Sequence, residues 1–181
     1  PSDMIHQSAR TLVERIERAS TSASPVTFIN GEEHDSTTWG ELHHDATLLA
    51  AGLQSRGIRP GDPVAVLGPT TRELVTLMQA VWLAGGVLVM LPLPMRMGSI
   101  EQFVEQTRDR IRFSRASMVV LDPQLAEFVE RRDGDPTFVT YADLSTGATG
   151  QTAADWKRPT PDPDALAVLQ FTSGSTSEPK G

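Results

Sequence analysis

The sequence has no cysteine, which removes disulfides, thiolate zinc sites and cysteine nucleophiles together. Aromatic residues make up only 6% of it, with a single tyrosine and three tryptophans. Long apolar runs are also missing. The longest, residues 80–93, is broken by Gly85, Gly86 and Pro92 and falls short of the roughly 20 residues that a membrane span needs. Positive charge is scarce: 16 Lys and Arg stand against 23 Asp and Glu, a net charge of −7 and a pI near 5.0. General affinity for nucleic-acid backbone is therefore not expected. The opening Pro1-Ser2-Asp3-Met4 has neither a basic nor an apolar signal segment, so a cytoplasmic protein is the expectation.

What is present is ordinary for a globular protein: 39% hydrophobic and 22% charged residues in a chain of 181. Such a chain can bury roughly 70% of its unfolded surface without a disulfide or metal staple. Leu12, Val13, Ile16 and Ala19 recur at helical spacing within residues 8–20. A strand over 26–29, turn chemistry at Asn30-Gly31 and a return strand to about Thr37 predict a hairpin. Thr38-Trp39-Gly40-Glu41 fits a capping box, and Leu42, Ala46, Leu49, Ala50 and Leu53 form one apolar stripe ending before Gly57.

From there strands and helices alternate. Strands are predicted at 63–67, 87–91, 118–121 and 138–140, with helices from Thr70-Thr71 to about Ala84, from Ser99 through Ile111, and over 123–131 behind Pro123. The strands are apolar at nearly every position, as in a parallel sheet covered on both faces. The expected fold is therefore α/β, a largely parallel sheet flanked by helices on both faces, with a small N-terminal hairpin. The predicted organisation is an N-terminal helix and hairpin over 1–37, an alternating core over 38–144, a surface connection over 145–164 rich in Pro and Gly, and a buried strand with its loop over 165–181.

The chemistry gathers in that last loop: Thr172, Ser173, Gly174, Ser175, Thr176, Ser177, Glu178, Pro179, Lys180 and Gly181. Gly174 lets successive backbone N–H groups converge on one anion, the hydroxyls add short donors, and Lys180 adds a mobile positive charge. A Walker loop is excluded, because Pro179 and Gly181 stand where its second glycine and its Ser or Thr belong. No G-x-G-x-x-G follows an early strand. A bare Ser/Thr/Gly loop is commonly only a linker; the strand before this one and its ordered spacing favour a phosphate site.

The T-S-G-S-T-x-x-P-K-G spacing resembles the phosphate-binding signature of the AMP-forming adenylating enzymes, the superfamily of acyl-CoA synthetases, luciferases and nonribosomal peptide adenylation domains. Residues 38–42, 57–66 and 80–86 resemble its N-terminal landmarks, in order. Leu169-Gln170-Phe171 and Leu91-Pro92-Leu93-Pro94 are most similar to fatty acyl-AMP ligases, while Ser177 departs from the glycine common at its position. The resemblance implies an N-terminal piece of such an enzyme, with Thr172, Ser173, Gly174, Ser175, Thr176, Lys180 and Gly181 holding the phosphates of ATP. It implies a fatty acid substrate and, as acceptor, an acyl carrier protein or polyketide synthase, with coenzyme A the alternative. Magnesium is implied too, its ligand lying outside these residues, as do the groups classed as catalytic. An acyl-CoA ligase, or a non-catalytic binding module with the same fold, remains an alternative.

Other residues read as structural. His43-His44-Asp45 lacks the spacing of a metal site, since adjacent helical residues point about 100° apart. Met90 is expected in the core, with Met95 and Met97 in a loop. Trp39 and Trp82 are expected as core anchors, Trp156 as a cap on the sheet end, Asp62 as turn chemistry, and Glu14 to Arg18 and Arg108 to Arg112 as solvated helix faces.

Overall fold

The computed structural model describes residues 10–94, 99–145 and 150–172. Helix α1 (Leu12–Ala19) opens on a capping box: the Thr11 hydroxyl accepts from Glu14 N at 3.2 Å and the Glu14 carboxylate accepts from Thr11 N at 3.1 Å. Strands β1 (Pro25–Asn30) and β2 (Glu33–Thr38) pair antiparallel, with Asn30 opposite Glu33. The two-residue turn is thus Gly31-Glu32, one position later than expected. Gly31, at φ 63°, takes the left-handed conformation that the first position of such a turn requires.

Helix α2 (Trp39–Ser55) begins with the expected box, Thr38 accepting from Glu41 N and Glu41 accepting from Thr38 N. Leu42, Ala46, Leu49, Ala50 and Leu53 are all buried, each leucine contributing about 2 kcal/mol by the area it removes from water. The alternating core follows as β3 (Pro63–Leu67), α3 (Arg72–Leu83), β4 (Val87–Met90), α4 (Ile100–Ser114), β5 (Met118–Leu121), α5 (Pro123–Ala126), β6 (Thr137–Thr140), α6 (Tyr141–Ser145) and β7 (Val168–Gln170).

Strands β3 to β7 form one parallel sheet in the order β6-β5-β3-β4-β7. The chain leaves β3 towards β4, then returns across β3 to reach β5. Right-handed crossovers in opposite directions place their helices on opposite faces. Successive residues of β3 accordingly enter two cores: Val64 and Val66 join the side chains of α2, α3 and α6, whereas Ala65 and Leu67 join Ile111 of α4 and Leu125 of α5.

Gly85 and Gly86 have a structural reason. Gly85 holds φ 84° with Pro60 Cα only 3.1 Å from where a Cβ would lie, and Gly61 N donates to its carbonyl at 2.9 Å. Asp62 serves the same corner, its carboxylate accepting from Arg59 N at 2.8 Å.

Several expectations are corrected. Helix α5 stops at Ala126 rather than at residue 131. Beyond it Val129 turns into the second core and Glu130 O accepts from the Arg108 guanidinium, so tertiary contacts override helix propensity. Helix α4 runs to Ser114, three residues past its expected end, and stops where Arg115 adopts φ 52°. Arg108 is not solvated: it is buried and ion-paired to Asp135 at 2.7 Å, while Arg112 and Asp109 form the expected exposed pair at 3.0 Å. Glu17 reaches out of its own helix to Arg158 at 2.6 Å. Trp39 is half-buried and belongs to neither core cluster. Residues 165–171 do not form a buried strand. Among the described residues strand β7 is an edge paired only to β4, leaving Val168 40% and Leu166 61% exposed, although Phe171 is buried.

The connection over 145–164 is more than surface chain. Trp156 donates through Nε1 to Leu83 O at 2.7 Å, and Gln54 exchanges two hydrogen bonds with the Lys157 backbone. A short 3-10 turn at Ala153–Asp155 precedes Trp156.

Candidate functional site

Parallel strands end on one rim, and here the five carboxyl ends lead into Gly68, Leu91, Asp122, Tyr141 and Phe171. α/β sheets commonly bind ligands at this rim, beside strands whose connections leave towards opposite faces. Strand β3 meets that condition on both sides.

At one end of the rim stands β7. Its start is held by Ala167 O, which accepts from both Leu88 N and Trp82 Nε1 at 2.9 Å. Its end is held by Phe171, buried against the second core and in edge contact with Phe113 at 5.9 Å between ring centroids. Thr172 follows, exposed and in an isolated β-bridge. Of the predicted phosphate-binding residues, Thr172 alone is among the described residues, just past the end of β7. Ser173, Gly174, Ser175, Thr176, Lys180 and Gly181 lie outside the described residues, as do Met95 and Met97.

A profile of the family described as AMP-binding enzyme matches residues 16–181. The chain belongs to that family. A likeness extends to the putative ligase Rv1013 of Mycobacterium tuberculosis, 33% identical over 157 residues, or 84% of this chain and 28% of that protein. Phenyloxazoline synthase MbtB of the same species is 38% identical over 145 residues, 80% of this chain and 9% of that one. The fold is also that of the fatty acyl-adenylate ligase from L. pneumophila, solved with acyl adenylate and pyrophosphate, at a TM-score of 0.81 and 22% identity over 95% of this chain and 30% of that one. The chain thus spans less than a third of the length of each of these relatives.

Elsewhere on the rim stands the sequence's only tyrosine, which no motif marks. Tyr141 follows β6 directly, half-buried, and burial first, then the charges of Asp45 and Glu73, push its phenol above the usual value. A sole aromatic phenol immediately after a strand was the available signal. It lies beside a cavity of about 340 Å³ bounded by Gly68, Thr71, Glu73 and Asp122.

The other tempting groups act structurally. His43 packs edge-on against Trp156 at 6.5 Å, and burial lowers its pKa. Among the described residues no group of three or more His, Asp or Glu could hold a metal ion. No helix among them is long and apolar enough to cross a membrane.

Proposed function

We propose that this chain carries the ATP phosphate-binding part of an AMP-forming ligase whose acid is a fatty acid and whose acceptor is the thiol of an acyl carrier protein. The observation that carries the reading is the T-S-G-S-T-x-x-P-K-G order one residue after β7, a strand ending on the carboxyl rim of a parallel sheet, where α/β folds commonly bind ligands. The likeness to a fatty acyl-adenylate ligase and the Leu169-Gln170-Phe171 lead-in support the choice of acid.

On this reading a carboxylate oxygen of the acid attacks the α-phosphorus of ATP, the bond to the bridging oxygen breaks, and pyrophosphate leaves with the electron pair. Transfers of this kind depend mainly on positioning and charge stabilisation. Thr172, Ser173, Ser175 and Thr176 donate to the β- and γ-phosphate oxygens, Gly174 and Gly181 allow close backbone approach, and Lys180 balances the charge of the departing pyrophosphate. Residues 165–181 are then a strand and its loop, and the preceding residues are their scaffold.

The 38% identity to phenyloxazoline synthase favours one second reading, in which the acid is not a fatty acid. The test is ATP–pyrophosphate exchange by the polypeptide extended to the length of its relatives, over a panel of fatty and aryl acids. Exchange with fatty acids, reduced roughly a hundredfold by Lys180→Ala, is the expected result. Exchange with aryl acids alone selects the second reading, and exchange indifferent to Lys180 refutes the loop assignment.

A further inference from the structure

The cavity beside Tyr141 opens where β3 and β5 end, between connections that depart towards opposite faces of the sheet. At about 340 Å³ it lies within the range of small-ligand pockets, roughly 300 to 1,000 Å³. Its floor is apolar, made by Val66, Leu74, Leu77 and Val120. Its mouth is acidic, with Glu73 and Asp122, and among the described lining residues there is no Lys, Arg or His.

Arg72, whose charge acts on the Tyr141 phenol, is paired elsewhere, with Asp35 at 3.4 Å and Asp45 at 3.8 Å. Asp122 spends one oxygen capping α5, where Oδ1 accepts from Gln124 N at 2.9 Å, and its second oxygen remains for a ligand. The carboxylate of Glu73, an exposed residue, has no hydrogen bond or ion pair among the described residues. The half-charges at the starts of α3 and α5 offset only part of the two full negative charges. Gly68 keeps the mouth open, since a Cβ there would lie 3.3 Å from Asp122 Cβ. The Tyr141 hydroxyl, with no hydrogen-bond partner among the described residues, supplies a further polar group beside the carboxylates.

We propose that this cavity binds a small organic amine, its apolar body on the floor and its ammonium between Glu73, Asp122 and the Tyr141 hydroxyl. One strand, β4, lies between β3 and β7, so the two are about 10 Å apart along the rim at ordinary strand spacing. The proposal does not depend on the ligase reading.

The experiment uses the single tyrosine as its reporter. With isotope-labelled tyrosine and glycine in the 181-residue chain, phenethylamine is titrated against its anionic and neutral counterparts, phenylpropionate and phenethyl alcohol. The expected result is a saturable shift of the Tyr141 ring signal and the Gly68 amide with the amine, at least about tenfold weaker binding of the alcohol, and none of the acid. Glu73→Gln with Asp122→Asn should weaken the amine at least about tenfold at an unchanged melting temperature, because Asn still caps α5. An unmoved tyrosine signal, equal binding of the three compounds, or full amine binding by the double variant overturns the proposal.

Discussion

Trp82 and Ala167 are joined by a 2.9 Å hydrogen bond from the indole Nε1 to a carbonyl that already accepts from Leu88 N. One oxygen therefore ties α3 and β4 to the entry of the edge strand that leads into the proposed phosphate loop. Trp82→Phe keeps most of the ring's packing and deletes the donor, which should cost about 1 kcal/mol. Hydrogen exchange of the Leu88 amide and of the β7 amides should quicken about fivefold. Unchanged exchange would mean that the indole packs without holding the strand.

The ion pair of Arg108 with Asp135 predicts an asymmetry. Arg108 is 5% exposed and Asp135 20% exposed, so removing the carboxylate strands the more deeply buried charge. Asp135→Asn should cost about 3 kcal/mol, and Arg108→Met distinctly less, because methionine fills the space and leaves only a half-wetted carboxylate. Burial by itself raises the Asp135 carboxyl, but hydrogen bonds from Arg132 N and Arg108, with their charges, outweigh it and lower its pKa. A depressed carboxyl contributes stability that is present above its unfolded value, near 3.9, and is lost as pH falls through the lower folded value. Denaturation midpoints of both variants check the order, and Asp135→Asn should flatten the acid limb.

The residues legible in advance were those whose signal is local. Thr38 with Glu41, the buried stripe of α2 and the strands apolar on every residue all follow from spacing within one element, and the structure has them where they were expected. Arg108 was misread because a charge on an amphipathic helix looks the same whether its partner is water or Asp135, 27 residues away. The burial of β7 was misread for a related reason: an apolar strand carries no mark of whether neighbours cover one edge or two. Of the candidate site, the loop's ordered residues were readable but the cavity beside Tyr141 was not, since it is assembled from residues contributed by separate strands and helices.

Gly52 sets two effects against each other. Replacing a mid-helix glycine with alanine ordinarily stabilises a helix by about 1 kcal/mol. Here a Cβ would lie 2.8 Å from Leu144 O and 2.9 Å from Gln151 Nε2, where α2 passes closest to α6. Backbone at that distance must move, at a cost of about 1 to 3 kcal/mol. Packing should win, so Gly52→Ala should lower the melting temperature. A rise would show that α6 yields freely.

His43 should make the chain acid-sensitive before its carboxylates do. Burial lowers its pKa, Glu17 works against that and His44 adds to it, and the edge of the ring faces Trp156. Its Nε2 is buried with no partner among the described residues, so a proton arriving there gains no acceptor. The unfolded chain takes up that proton near pH 6.5 whereas the folded chain resists it. Stability is then full above that value and falls as pH drops through it towards the lower folded value. His43→Phe retains an aromatic edge against Trp156 and cannot titrate. Urea midpoints taken from about pH 7.5 to about 5.5 should decline for the parent chain and stay level for the variant; equal slopes would place the sensitivity elsewhere and leave the buried imidazole without effect on folding.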